Sequence, residues 1–163
     1  MPQLSMHTPI GDLTLHADGG AIVSLDWGWS PDPTPTPLLL EAKRQLDAWF
    51  DGDLTAFDLP LSPHGTAFQR RLWGALRAIP YGTTVTYGAL ARSLTSSARA
   101  VGTACGMNPI PIIIPCHRVL AAGGAMGGYS GEGGLRTKKA LLVLEGAISV
   151  AEGLRLEATG ALD

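Results

Sequence analysis

The chain has 163 residues, 45% of them apolar, and a formal net charge of −2 at neutral pH. Its apolar runs fall short of the roughly 18–20 residues that a membrane span requires, and its two cysteines are too few for a disulfide framework and wrongly spaced for a zinc knuckle. No charged segment followed by an apolar one opens the sequence, so a cytoplasmic protein with one sizeable core or two small ones is expected.

The first 62 residues read as a small α+β unit. Short apolar alternations at 3–7, 12–17 and 21–27 are separated by turn-forming sequences at 8–11 and 18–20, which predicts a β-meander. Residues 28–37, rich in proline and polar side chains, read as a loop. Thr36 can cap a helix with Pro37 at its first position, and Leu39, Ala42, Leu46, Trp49 and Phe50 recur on one face before Gly52 closes it. A further strand is expected at about 54–59. His7, His16 and His64 stand alone and form no catalytic constellation.

Residues 60–65 read as a linker, giving domains at 1–62 and 63–163. Thr66 and Gln69 form a capping box, and Phe68, Leu72, Trp73, Leu76 and Ile79 supply the buried stripe of a helix that stops before Pro80. Thr86 caps a second helix over 87–94. After a turn at 95–97, a third covers about 98–107, with Ala98, Val101 and Cys105 on its inner side. Helix, tight turn and small-residue helix is the helix-turn-helix pattern. The third helix is mostly Ala and Gly, which admits a duplex closely but supplies few base-reading side chains, so binding without strong sequence preference is predicted.

The charges are unevenly spread. Residues 1–58 carry nine acids and two bases, whereas residues 59–131 carry six arginines and no acid. A burial argument explains the missing acids but not the surviving Arg70, Arg71, Arg77, Arg92, Arg99 and Arg118, so a face kept free of repulsion toward phosphates is predicted. Arg99 stands in the first turn of its helix, where the macrodipole disfavours a cation, which suggests that it serves a ligand rather than the helix.

Chemistry concentrates at residues 111–119, Pro-Ile-Ile-Ile-Pro-Cys-His-Arg-Val. Ile112 to Ile114 read as a short buried strand that Pro115 ends. Cys116, His117 and Arg118 follow at once. A thiolate is a strong nucleophile, and a neighbouring base or cation lowers the cost of forming it. A buried free cysteine beside a surface histidine is the plainer reading of the same triplet.

With Asn108 and Pro109 ahead of it, this string resembles the active-site segment of the O6-alkylguanine-DNA alkyltransferases, in the bacterial Ogt-like form. The resemblance runs strongly through residues 66–146 and covers the N-terminal unit by layout. It implies an α+β fold, with a ribonuclease-H-like N-terminal α/β roll and a helical C-terminal domain carrying a winged helix-turn-helix. It also implies direct-reversal repair, in which O6-alkylguanine, and by extension O4-alkylthymine, is flipped out of double-stranded DNA and its alkyl group moves irreversibly to Cys116. The implied roles are Cys116 as acceptor, His117 as base oriented by Glu145, and Tyr87 as crowding residue and proton donor. Arg99 replaces the flipped base, Ala98 and Gly102 face the DNA, and Pro111, Val119, Gly127, Tyr129 and Ser130 form the base pocket. Val119 and Ser130 would offer it backbone groups. Asn108 and Arg118 give structural support. No metal or other cofactor and no obligate protein partner is implied, and a monomer is expected. The zinc-binding cysteines of some members are absent. The segment Gly-Glu-Gly-Gly at 131–134 looks about two residues longer than in familiar forms. Two rivals remain: an alkyltransferase-like lesion binder without the acceptor cysteine, which Cys116 argues against, and a Cys-His-Glu hydrolase, which would turn over.

Overall fold

Strands β1 (Gln3–Met6), β2 (Leu13–Asp18) and β3 (Ala21–Trp27) form an antiparallel sheet in the order β1-β2-β3. The computed structural model describes residues 1–153, and they divide into two units, the first Met1–Gly65 and the second beginning at Thr66. In the first unit, helix α1 (Pro37–Phe50) starts where Thr36 accepts a bond from the Leu39 N–H and Pro37 supplies a preset φ. Its apolar stripe covers one face of the meander, and Leu13, Leu15, Ile22, Leu25, Leu39, Leu46 and Trp49 are buried together.

The strand expected at 54–59 is not formed. The Gln45 side chain, itself buried, accepts from the Asp58 N–H at 2.8 Å and donates to the Asp58 carbonyl at 3.0 Å, so a side chain takes the backbone groups that a ladder would have used. Extended pairing comes slightly later. Ile22 exchanges backbone bonds with Pro60 and Ser62, which places the start of the expected linker within the first unit.

The second unit opens with α2 (Ala67–Arg77), whose Thr66–Gln69 capping box is fully made. Strand β4 (Val85–Thr86) leads directly into α3 (Tyr87–Ser93), and Ser97 caps α4 (Ala98–Gly106). The turn between α3 and α4 puts Thr95 at φ 53°, and the Arg71 guanidinium donates to the Leu94 carbonyl inside it. The Trp73 indole N–H donates to the Ala104 carbonyl at 3.0 Å, fixing α2 against α4. Val101, Ala104 and Cys105 are buried, but Ala98 is exposed, contrary to the inner position expected for it. As the first residue of a nine-residue helix it precedes the packed turns, and its small side chain is exposed beside Arg99. Strand β5 (Val119–Leu120) pairs in parallel with β4, Val85 opposite Val119 and Thr86 opposite Leu120. Helix α5 (Leu135–Leu144) follows and ends at Glu145, ahead of Gly146 at φ 74°. Among the described residues no helix is long and apolar enough to cross a membrane.

Candidate active site

The segment before Cys116 is buried, yet it is a turn rather than a strand. The Ile113 N–H donates to the Pro111 carbonyl at 2.9 Å across Ile112, whose φ is 73°. A β-branched residue in that region is a conformational outlier costing about 1–3 kcal/mol. The Cys116 N–H then donates to the Ile114 carbonyl at 2.8 Å across Pro115 at φ −82° and ψ 65°, an inverse γ-turn. Asn108 holds both ends of this hairpin-like path: its amide donates to the Ile114 carbonyl at 2.8 Å and its oxygen accepts from the Ile110 N–H at 3.0 Å. The apolar run of three isoleucines thus anchors the turn by burial while Asn108 replaces the missing ladder.

Cys116, His117 and Arg118 form one turn of 3₁₀-helix, all three buried. His117 Nε2 lies 3.0 Å from Glu145 Oε2, both side chains fully buried. Arg118 grips the same carboxylate, from Nε at 2.9 Å and Nη2 at 2.6 Å, while Nη1 donates to the Ile79 carbonyl at 2.7 Å. Burial opposes ionisation of Glu145, but the bonds from His117 and Arg118 outweigh it and hold the carboxyl below its usual range. Burial lowers the His117 pKa despite Glu145, so the imidazole is neutral at physiological pH and able to take a proton. Arg118 is therefore committed to Glu145 and does not supply the cation expected beside Cys116, and one of the six arginines counted toward a phosphate-facing surface lies inside the fold.

Cys116 opens onto a cavity of about 790 Å³. Tyr87 and Gly88 of α3, Ala98, Arg99 and Gly102 of α4, and Tyr129 and Ser130 all contribute to its wall. The β4–β5 pair accounts for the convergence: it sets the start of α3, hence Tyr87, beside the end of the Cys116 turn. Gly127 is next to the wall rather than in it. A Cβ there would lie 2.9 Å from the Tyr87 ring, so its absence admits that ring. Pro111 and Val119 are buried and do not form part of the wall. The backbone of Val119 already has partners, its N–H donating to the Cys116 carbonyl and its carbonyl accepting from Lys138. Burial pushes the Cys116 thiol up, against the Asn108 side-chain bond and the Lys138 charge. Burial likewise takes Tyr87 to about 12, so its hydroxyl, 3.5 Å from the Gly128 carbonyl, stays protonated and able to donate a hydrogen bond.

Lys138 is the functional candidate that sequence reasoning passed over. It is fully buried, and its ammonium donates to the carbonyls of Val119 at 2.7 Å, Met126 at 2.5 Å and Gly128 at 3.1 Å. Three carbonyl acceptors match three N–H donors. Burial lowers its pKa to about 8, with Cys116 and Cys105 opposing. The available signal was a lysine on the Leu141–Leu142 side of α5, a position that helical periodicity assigns to the interior. The loop at 131–134 is tied back to that helix, the Thr137 hydroxyl donating to the Glu132 carbonyl at 2.6 Å. Among the described residues no group of three or more His, Cys, Asp or Glu side chains could hold a metal ion.

Both units match known families. The 6-O-methylguanine DNA methyltransferase ribonuclease-like domain matches residues 4–63, and the DNA binding domain of the same name matches residues 67–147. The methylated-DNA–protein-cysteine methyltransferase of Mycobacterium tuberculosis is 44% identical over 153 residues, covering 86% of this chain and 90% of that one. The protein of that name from Methanosarcina barkeri is 52% identical over 150 residues, covering 86% and 94%. The crystal structure of M. tuberculosis OGT in complex with DNA superposes with a TM-score of 0.82 at 42% identity, covering 95% of this chain and 99% of that one. With a match to each unit and identity at this level across most of both chains, the protein belongs to the methylated-DNA–protein-cysteine methyltransferase family.

Proposed function

We propose that this protein repairs O6-alkylguanine in duplex DNA by moving the alkyl group to Cys116 in a single irreversible transfer. The observation that carries this reading is the placement of Cys116 on a cavity shared with Arg99 and Tyr87, in front of a buried His117–Glu145 pair. With Nε2 held against Glu145, Nδ1 of neutral His117 takes the Cys116 proton, directly or through a water. Because burial keeps the thiol protonated at rest, the thiolate forms only on demand. It attacks the alkyl carbon, the carbon–O6 bond breaks with its electrons moving onto guanine, and Tyr87 donates to the resulting anion.

The substrate carbon lies within stacked DNA, so the nucleotide must leave the duplex at a cost of a few kcal/mol. Arg99, exposed in the first turn of α4, fills the gap, while Ala98 and Gly102 let the backbone approach. Tyr129 and Ser130 complete the pocket, and Asn108 and Arg118 act as supports for Cys116 and Glu145. The exposed Arg70, Arg77 and Arg92 supply sequence-independent attraction to phosphates. The protein is its own acceptor, so no cofactor enters, and a monomer acting in the cytoplasm suffices.

Incubation with excess methylated duplex, counting alkyl groups per chain, tests this reading. One is expected. None would indicate a lesion binder, and many would indicate a hydrolase.

A further inference from the structure

The cavity that holds Cys116 contains a second thiol for which alkyl transfer has no use. Cys105, in the last turn of α4, lines the same wall, and each cysteine is 6% exposed. Asn108 joins them: its N–H donates to the Cys105 carbonyl at 3.2 Å, and its side-chain amide donates at 2.8 Å to the Ile114 carbonyl, which also accepts from the Cys116 N–H. Burial raises both thiols, Cys105 to about 12, with the charge of Cys116 adding to the rise there and the buried Lys138 ammonium opposing it at both. These are the only cysteines in the sequence, so an oxidised Cys116 has a single thiol partner within the chain. The open cavity leaves both side chains room to change rotamer, which a close-packed core would not.

We propose that Cys105 is the resolving thiol for Cys116, so that a peroxide closes a reversible Cys105–Cys116 disulfide and withdraws the alkyl acceptor. The loss of repair that follows rests on Cys116 being that acceptor. The Cys116 thiolate attacks one peroxide oxygen and the O–O bond breaks. Sulfur is oxidised to the sulfenic acid, and the other oxygen leaves as hydroxide, which takes the thiol proton from His117 to become water. Cys105 then attacks the Cys116 sulfur, the S–S bond forms, and hydroxide departs with the Cys105 proton as a second water. A dithiol reductant reverses the bond. Without Cys105 the sulfenic acid would have no nearby thiol and would proceed to sulfinic acid, which such reductants do not restore.

The experiment treats the full-length protein with hydrogen peroxide, blocks free thiols with iodoacetamide and digests without reduction. Cleavage after Arg99 and Arg118 releases residues 100–118, which carry both cysteines in one peptide. In the wild type this peptide should be lighter by two hydrogen atoms and refuse iodoacetamide, while alkyl transfer is lost and dithiothreitol restores it. Cys105→Ala, compared with its own reduced form, should lose transfer permanently and gain oxygen at Cys116. Cys105→Ser repeats the test in case the alanine variant folds poorly. Oxygen uptake at Cys116 without the cross-link in the wild type, a cross-link between two chains, or equal recovery of the Cys105 variants would each overturn the proposal. If reduced wild type transfers no alkyl group, the mass measurement still decides the disulfide, and the failure belongs to the assignment of Cys116 as acceptor.

Discussion

Replacing Glu145 by glutamine should expose how strongly the site depends on one buried carboxylate. That carboxylate faces Arg118 through contacts of 2.6 and 2.9 Å and His117 at 3.0 Å, with no solvent access to its side chain. Glutamine keeps the shape but leaves the Arg118 guanidinium buried without a counter-charge, a change that typically costs about 3–5 kcal/mol. For a chain of this size the melting temperature should fall by roughly 6–20 °C. Adding Arg118→Met removes the orphaned charge, so the double variant should be more stable than the two single losses together predict, by at least about 1 kcal/mol. Thermal and urea unfolding of the four proteins measure this. The folded-state pKa of Glu145 is depressed, so its contribution is complete above the ordinary carboxylate value of about 4.3 and disappears as pH falls through the folded-state value. The gap between wild type and Glu145→Gln should therefore close on acidification. Strict additivity of the two substitutions, or a gap that persists in acid, would refute a stabilising ion pair at the centre of this site.

Arg99→Ala should slow repair of duplex DNA far more than reaction with the free modified base, since only the duplex requires extrusion; equal losses would remove Arg99 from that role. Lys138→Met leaves three buried carbonyls without their donor at about 1–3 kcal/mol each before relaxation, so amide-exchange protection over residues 126–130 should fall, and unchanged protection would count against the clamp. In the wild type, raising pH through about 8 deprotonates Lys138 and leaves two N–H donors for three carbonyls, so protection of that loop, corrected for intrinsic exchange, should drop. Global stability should not fall with it, because the folded-state pKa lies below the unfolded one and this group contributes more stability as pH rises past 8.

Features governed by near neighbours were legible in the amino-acid order. The Thr36, Thr66 and Thr86 caps, the meander with its glycine turns and the exposed cation at Arg99 each depend on residues a few positions apart. The Cys116–His117–Arg118 triplet was legible as a string, although the 3₁₀ turn it forms points the three side chains in different directions. Tertiary contact decided the rest. Three β-branched residues favour a strand, but Asn108 closes the path around Ile112 by bonding Ile110 and Ile114, and burial of the isoleucines holds a conformation that propensity disfavours. Arg118 stands two residues from the thiol, but the partner that holds it, Glu145, lies 27 residues further along the chain and is met only in the fold. Lys138 stands where helical periodicity turns a side chain inward, but only the folded loop brings the carbonyls of Val119, Met126 and Gly128 to a single point beside it. Local order can specify which groups stand ready to react; the charge each one carries depends on what the fold buries against it, since desolvation and paired charge act through space and not along the chain.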